Sequence, residues 1–437
     1  MIRIFALALG ALAALSLSAQ AAAPIQKVVS PGGITAWLVE EQAIPIISIE
    51  ISFEGGAALD PAGKEGVANL MTGLLEEGAG DLDAVGFAEA ADAIAARYGF
   101  SSGRESVSIS AAMLAENRDA SLDLLRLAIT SPRFDEEPVT RVKRQVISGI
   151  RSSETDPNAI ASKAWFAAAF PGDPYGRKAS GTVESVTAIT PEDLEAARAR
   201  LLNVGAAHIG VVGAITAEEL GPILDNLLGD LRNEPPTALA PAVYQGAPGI
   251  EVIDLDVPQS VAVFGHEGIL RDDPDFIPAY VLNYVLGGGG FSSRLTVEVR
   301  EKRGLSYSVY SYLFPLDRAG LVLGGVATAN ASMSKSVEVI RDEWRKIAEN
   351  GITAEELEKA KRYLTGAYAL RFDSNGKIAD ILVGLQAADL PIDYPEIRNA
   401  LVEAVTLEDI KRVAARLLNP DELKIVVVGR PEGLTTE

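Results

Sequence analysis

Thr190-Pro-Glu-Asp-Leu-Glu-Ala-Ala-Arg-Ala-Arg-Leu-Leu-Asn203 and Thr406-Leu-Glu-Asp-Ile-Lys-Arg-Val-Ala-Ala-Arg-Leu-Leu-Asn419 are one segment written twice, 216 residues apart. The same shift carries His208-Ile-Gly-Val-Val-Gly213 onto Lys424-Ile-Val-Val-Val-Gly429. Each copy reads as a Thr-capped amphipathic helix leading into a short buried strand. Phe134-Asp-Glu-Glu-Pro-Val-Thr-Arg-Val-Lys-Arg144 and Thr353-Ala-Glu-Glu-Leu-Glu-Lys-Ala-Lys-Arg362 form a second echo at similar spacing. A period this long means a duplicated domain and excludes a solenoid, whose period is far shorter.

Working outward, residues 34–40, 47–54 and 106–113 alternate or are β-branched, as strands do, while 64–77, 84–98, 116–131 and 136–154 carry helical spacing. The second half repeats the scheme, with strands near 251–255, 260–266, 307–314, 320–329 and 424–428. Paired strands mixed with long helices predict an α+β protein of two homologous domains in tandem. Each is expected to be a mostly antiparallel sheet covered on one face by helices. The expected domains span 22–232 and 250–437, joined by a linker at 233–249 that is rich in Pro, Ala and Gly.

The chain has 437 residues, too many for one ordinary core, and its apolar share of 48% is that of a globular protein. A formal charge of −21 without a dense basic cluster argues against a nucleic-acid partner. With no cysteine there is neither a disulfide nor a thiolate nucleophile or metal ligand. At the start, Met1-Ile2-Arg3, an apolar run from Ile4 to Leu17 and Ala19-Gln20-Ala21 read as a cleavable signal peptide over 1–21. The run is shorter than the roughly 20 residues that span a bilayer. The expected location is therefore periplasmic or secreted, with no membrane attachment once the signal is cleaved.

Most catalytic signatures fail. No phosphate-cradling G-x-x-x-x-G-K-[ST] occurs, and Gly287-Gly-Gly-Gly290 lacks the spaced third glycine and the acid of a dinucleotide site. Gly304-Leu-Ser-Tyr-Ser308 is not a nucleophile elbow, and Asp272-Asp-Pro-Asp275 lacks the turn and distal Glu of a calcium loop. Only two histidines exist. Neither has a local partner for a metal: His208 reads as a solvated strand end, and His266, beside Glu267, as a strand-end residue that could line a cavity.

Two further stretches carry a resemblance. Gly287-Gly-Gly-Gly-Phe-Ser-Ser-Arg-Leu-Thr-Val-Glu-Val-Arg-Glu-Lys-Arg-Gly-Leu-Ser-Tyr307 is similar to the S-R-L-x-x-x-v-R-E-x-x-G-L-x-Y string of the insulinase (pitrilysin) metallopeptidases, whose zinc motif is the inverted H-x-x-E-H. The duplicated halves resemble that family over the whole mature chain. The motif itself is lost: G-x-A-H-x-x-E-H-x-x-x-x-G-T aligns with Gly66-Val-Ala-Asn-Leu-Met-Thr-Gly-Leu-Leu-Glu-Glu-Gly-Ala79. Asn69 and Gly73 stand for the two histidines and Thr72 for the glutamate that activates water. The third ligand falls near Ser148-Gly149-Ile150, where no acid stands.

The resemblance implies a fold that is a metallopeptidase's and a chain that holds no cofactor, the zinc being expected in a partner subunit. It also implies roles for Arg300 and Tyr307, seven residues apart, as donors to the substrate carbonyl or to the oxyanion formed from it. Gly287, Gly288, Gly289 and Gly290 would let a substrate backbone approach. The function so implied is that of a non-catalytic subunit, inactive alone, in a heterodimeric peptidase acting on peptides or unfolded segments. The alternative is a catalytically inert peptide-binding or assembly protein of the same fold.

Overall fold

The computed structural model describes residues 24–436; the signal segment 1–21 lies outside the described residues. The first half contributes β1 (Gln26–Val29), β2 (Thr35–Glu40), β3 (Ile46–Glu54), a short hairpin of β4 (Gly78–Ala79) and β5 (Leu82–Asp83), then β6 (Arg97–Ser102), β7 (Ser106–Leu114) and β8 (Ala207–Gly213). The second contributes β9 (Gly249–Asp254), β10 (Gln259–Glu267), β11 (Ser308–Pro315), β12 (Gly320–Ala329) and β13 (Lys424–Gly429). The main sheets run β1-β2-β8-β3-β7-β6 and β11-β12-β10-β13-β9. Apart from β1, they have one order, and in each only one pair is parallel, β2 with β8 and β13 with β9. This is the duplicated, mostly antiparallel α+β architecture expected from the repeat.

The repeated helices are Pro191–Leu201 and Leu407–Leu417. Thr190 and Thr406 each close a capping box, with Asp193 and Asp409 as the reciprocal partners. Thr353 does the same with Glu356 at the head of the helix Ala354–Gly366. These caps satisfy N–H groups that a helix start otherwise leaves orphaned.

Both faces of each sheet are covered, where the sequence reading gave helices to one face only. In β13, Ile425 and Val427 point into the core of their own half, while Val426 and Val428 pack against Trp165 and Phe166 of the first half. Those aromatics belong to the helix Pro157–Ala169, which lies on the second sheet. Reciprocally, the helix Asn375–Ala387 of the second half lies on β3 and β8, packing Leu382 and Leu385 on Trp37, Val39 and Val212. Gly210 permits that approach, since a Cβ there would sit 2.4 Å from the Ala379 carbonyl oxygen.

Residues 233–248 contain no helix or strand, yet they are seated. Ala242 N–H donates to the Arg318 carbonyl at 3.1 Å and Gln245 N–H to that of Ala169 at 2.8 Å. The Tyr244 ring lies 6.1 Å from both Trp165 and Phe170. The connection is a strap over the exchanged helix.

Two spans differ from their sequence reading. The 64–77 segment is helical only over Val67–Thr72, because Gly66 enters at φ +93° and Gly73 caps the end. The 84–98 segment ends as a helix at Ala93 and becomes strand β6 from Arg97. Ala95 at φ +52° turns the chain, and Ala96 N–H closes a six-residue loop to the Ala91 carbonyl at 3.0 Å. Among the described residues no helix is long and apolar enough to cross a membrane.

Candidate functional site

The short helix Val67–Thr72 is fixed at its start by Asp60, which accepts from Gly66 N–H at 2.7 Å and Ala68 N–H at 3.2 Å. Burial outweighs these bonds and pushes the Asp60 carboxyl up to about 6. Asn69 is half-buried, and the buried Thr72 spends its hydroxyl on the Asn69 carbonyl at 3.0 Å. Gly73 is exposed at the point where the helix stops, and its α-carbon faces the helix Glu136–Ser153 beside Val142. Across from it Ser148 and Gly149 are exposed and Ile150 is buried. Amide, hydroxyl and hydrogen do not make a zinc ligand set, and none of them is a general base. Among the described residues no group of three or more His, Cys, Asp or Glu side chains is placed to hold a metal ion.

The second-half stretch is built differently. Its Arg294 makes a two-pronged ion pair with Glu356, Nε to Oε1 at 2.6 Å and Nη2 to Oε2 at 2.7 Å. Glu356 is itself the reciprocal member of the Thr353 capping box, so the stretch is pinned to a helix start. Beyond it, Thr296–Glu301 forms a wide helical turn, and Lys302 N–H reaches the Val297 carbonyl at 2.9 Å. That turn aims Arg300 between two rings: its guanidinium carbon lies 4.7 Å from the Phe291 centroid and 4.8 Å from the Tyr307 centroid. Tyr307 is 82% exposed and Phe291 69%. Among the described residues Arg300 has no carboxylate partner. Arg300 and Tyr307 are thus brought together, and Phe291, which motif matching passed over, completes the cluster; its signal was an aromatic directly after a glycine run.

The four glycines do not form one open loop. A Cβ at Gly287 would fall 2.4 Å from both the Ser311 N and Oγ, and at Gly288 2.9 Å from the Asn283 amide nitrogen. At Gly289 it would meet the Tyr284 carbonyl at 2.7 Å. Only Gly290, at φ +55°, faces open space. Close packing of the chain on itself therefore accounts for three of the four, while Gly287, Gly288 and Gly290 also border a cavity of about 750 Å³.

The histidines separate. His266 is a core residue, 1% exposed: its Nδ1 faces the Glu267 carbonyl at 2.7 Å and Trp344 Nε1 donates to its Nε2 at 3.1 Å. Those partners require a proton on Nδ1 and none on Nε2, the neutral ring, and burial depresses its pKa in the same sense. His208 stands at the start of β8 as the sequence suggested, half-buried. Its Nε2 lies 3.0 Å from Glu54 Oε1 at a cavity of about 540 Å³ between the halves.

Two family models match this chain: "Insulinase (Peptidase family M16)" over residues 37–183 and "Peptidase M16 inactive domain" over residues 188–364. The second match begins before β8 and so crosses from the first sheet into the second half. A Helicobacter pylori protein named a non-peptidase homolog, YmxG, is 26% identical over 377 residues, covering 85% of this chain and 86% of that protein. A Rickettsia bellii protein named an uncharacterized zinc protease is 22% identical over 403 residues, covering 90% and 95%. A crystal structure described as a peptidase M16 inactive domain, from Pseudomonas fluorescens, superposes with a TM-score of 0.88 at 28% identity, over 93% of this chain and 98% of that one. The chain is a member of the insulinase (M16) peptidase family, of its non-catalytic type.

Proposed function

We propose that this chain is the non-catalytic subunit of an exported heterodimeric metallopeptidase, periplasmic in a Gram-negative source. Its partner is a homologue that carries H-x-x-E-H and the zinc ion, and the pair cleaves peptides or unfolded segments. The observation that carries the reading is an asymmetry between two stretches. The zinc constellation is gone at Asn69, Thr72, Gly73 and the Ser148-Gly149-Ile150 stretch, while the half-buried Arg300 and the exposed Tyr307 stay together, Arg300 without an acidic partner among the described residues. A guanidinium and a phenol are donors suited to a carbonyl oxygen that gains charge in a partner's site. The exposed Phe291 and Tyr307 rings on either side of Arg300 also cost apolar exposure that the fold of this chain does not require, which a covering subunit relieves. Gly290 leaves room beside that stack for a substrate backbone.

The experiment is a peptide-library digest with this chain, with the zinc-bearing homologue, and with both, each with and without a chelator. Chelator-sensitive cleavage that needs both chains supports the reading. Cleavage by this chain alone contradicts it. A second reading, a catalytically inert peptide-binding or assembly protein, is favoured by the name of the Helicobacter relative, a non-peptidase homolog. It requires that no combination cleaves.

A further inference from the structure

The cavity of about 750 Å³ lies wholly outside the Arg300–Tyr307 cluster, between the helix Phe276–Asn283, strand β11 and the exchanged helix Asn375–Ala387. Six of the eleven tyrosines and three arginines border it, against one carboxylate, Asp380. That balance runs counter to a chain with 60 acidic and 39 basic residues.

Arg398 is the decisive group. It is 5% exposed, and its donors go only to neutral acceptors: the Leu364 carbonyl at 2.7 Å, Asn399 Oδ1 at 3.0 Å and the Tyr280 hydroxyl at 3.4 Å. Its face stacks on the Tyr368 ring at 4.5 Å. Arg271, at the same cavity, donates to the Tyr394 hydroxyl at 3.0 Å and lies 4.2 Å over Phe276. Among the described residues neither has a carboxylate within ion-pairing distance. Other guanidiniums of this half do find carboxylates: Arg294 with Glu356, Arg303 with Glu298, Arg416 with Asp273 and Asp275. Burying a guanidinium without a counter-ion is costly, and its fork geometry matches a planar or tetrahedral anion.

From this we infer that the cavity is a binding site for an organic anion, a carboxylate or phosphate head on an aromatic body. The head sits against Arg398 and Arg271 and the body among the tyrosine rings. A volume of this size is that of a small-molecule site, and aromatic walls with a few convergent polar groups are its usual lining. The site belongs to this chain alone and does not depend on any partner subunit.

The test is calorimetric titration of the full chain at low ionic strength with N-acetylphenylalanine, its uncharged amide, and phenyl phosphate. Binding of either anion, with the amide weaker by roughly tenfold or more, supports the site and identifies the head group. Equal binding of acid and amide, or no binding of either anion by the folded protein, overturns it. Arg398→Gln should abolish binding. Because Arg398 is buried, Arg271→Gln serves as the second variant: it should keep the native circular dichroism and weaken the anion by roughly tenfold. Unchanged affinity in a folded Arg271→Gln chain also overturns the inference.

Discussion

Trp165 of the first half donates its indole N–H to the Lys424 carbonyl of the second, at 3.1 Å. The reciprocal bond runs from the Gln386 amide of the second half to the Ile209 carbonyl of the first, at 2.9 Å. Lys424-Ile425 and His208-Ile209 are equivalent positions of the repeat, so the two exchanged helices grip the same place on opposite sheets. Each half then lacks a covered sheet without the other.

That relationship makes the halves one cooperative unit. Urea unfolding followed by tryptophan fluorescence and by circular dichroism should give coincident single transitions. Trp165→Ala should cost about 3–5 kcal/mol through the cavity and the lost bond. Gln386→Ala should cost about 1 kcal/mol. Two separated transitions in the unmodified chain would show independent halves.

Much of this was legible in the sequence, though not the exchange itself. The capped helices, the strands of the second sheet, β2, β3, β7 and β8 of the first, and the duplication follow from local signals: Thr190 and Thr406 before their helices, β-branched runs in β8 and β13. Val426 and Val428 look buried on either account, since alternation shows that a face is covered but not by what. Strand β6 was hidden because Ala95 turns the chain by a left-handed residue other than glycine. The Arg398–Arg271 cavity was invisible because its walls are drawn from distant segments. The lost zinc motif and the Arg300–Tyr307 spacing were readable only as a family resemblance, and Phe291 needed coordinates.

His266 sets one arm of the pH dependence. Burial holds its pKa below the ordinary 6.5, so the unfolded chain binds the extra proton as pH falls past that value. Its contribution to stability is present above pH 6.5 and is lost below it. His266→Gln should lower the urea midpoint at pH 7, and the gap between the native chain and this variant should narrow from pH 7 to pH 5. A gap that stays the same at both pH values would contradict the neutral, doubly bonded ring.

Glu50 acts with the opposite sign. It faces the exchanged helix, and burial, followed by the charge of Asp380, pushes its carboxyl up from 4.5 to about 7. The folded state therefore holds a proton that the unfolded state releases, and stability declines as pH rises from 4.5 through 7. Glu50→Gln should raise the melting temperature at pH 8 and leave it nearly unchanged at pH 4. A variant that is destabilised equally at both pH values would show that Glu50 serves packing instead.

The glycine run offers a separation of packing from access. Gly287→Ala forces a methyl against Ser311 and should cost about 1–3 kcal/mol in thermal unfolding. Gly290→Ala meets no atom and carries only the left-handed strain, about 1 kcal/mol. If Gly290 gives room to a substrate backbone, its variant should raise the KM of the reconstituted pair while the chain stays folded. An unchanged KM assigns all four glycines to folding.

The most direct measurement is kcat of the reconstituted pair with this chain unmodified, with Arg300→Ala and with Tyr307→Phe, the complex being verified by gel filtration in each case. If these side chains complete the partner's site, kcat falls by about 10²–10³ for either substitution while the complex persists. A pair whose kcat is unchanged by both substitutions contradicts a complementing role and leaves this chain as a partner that only binds.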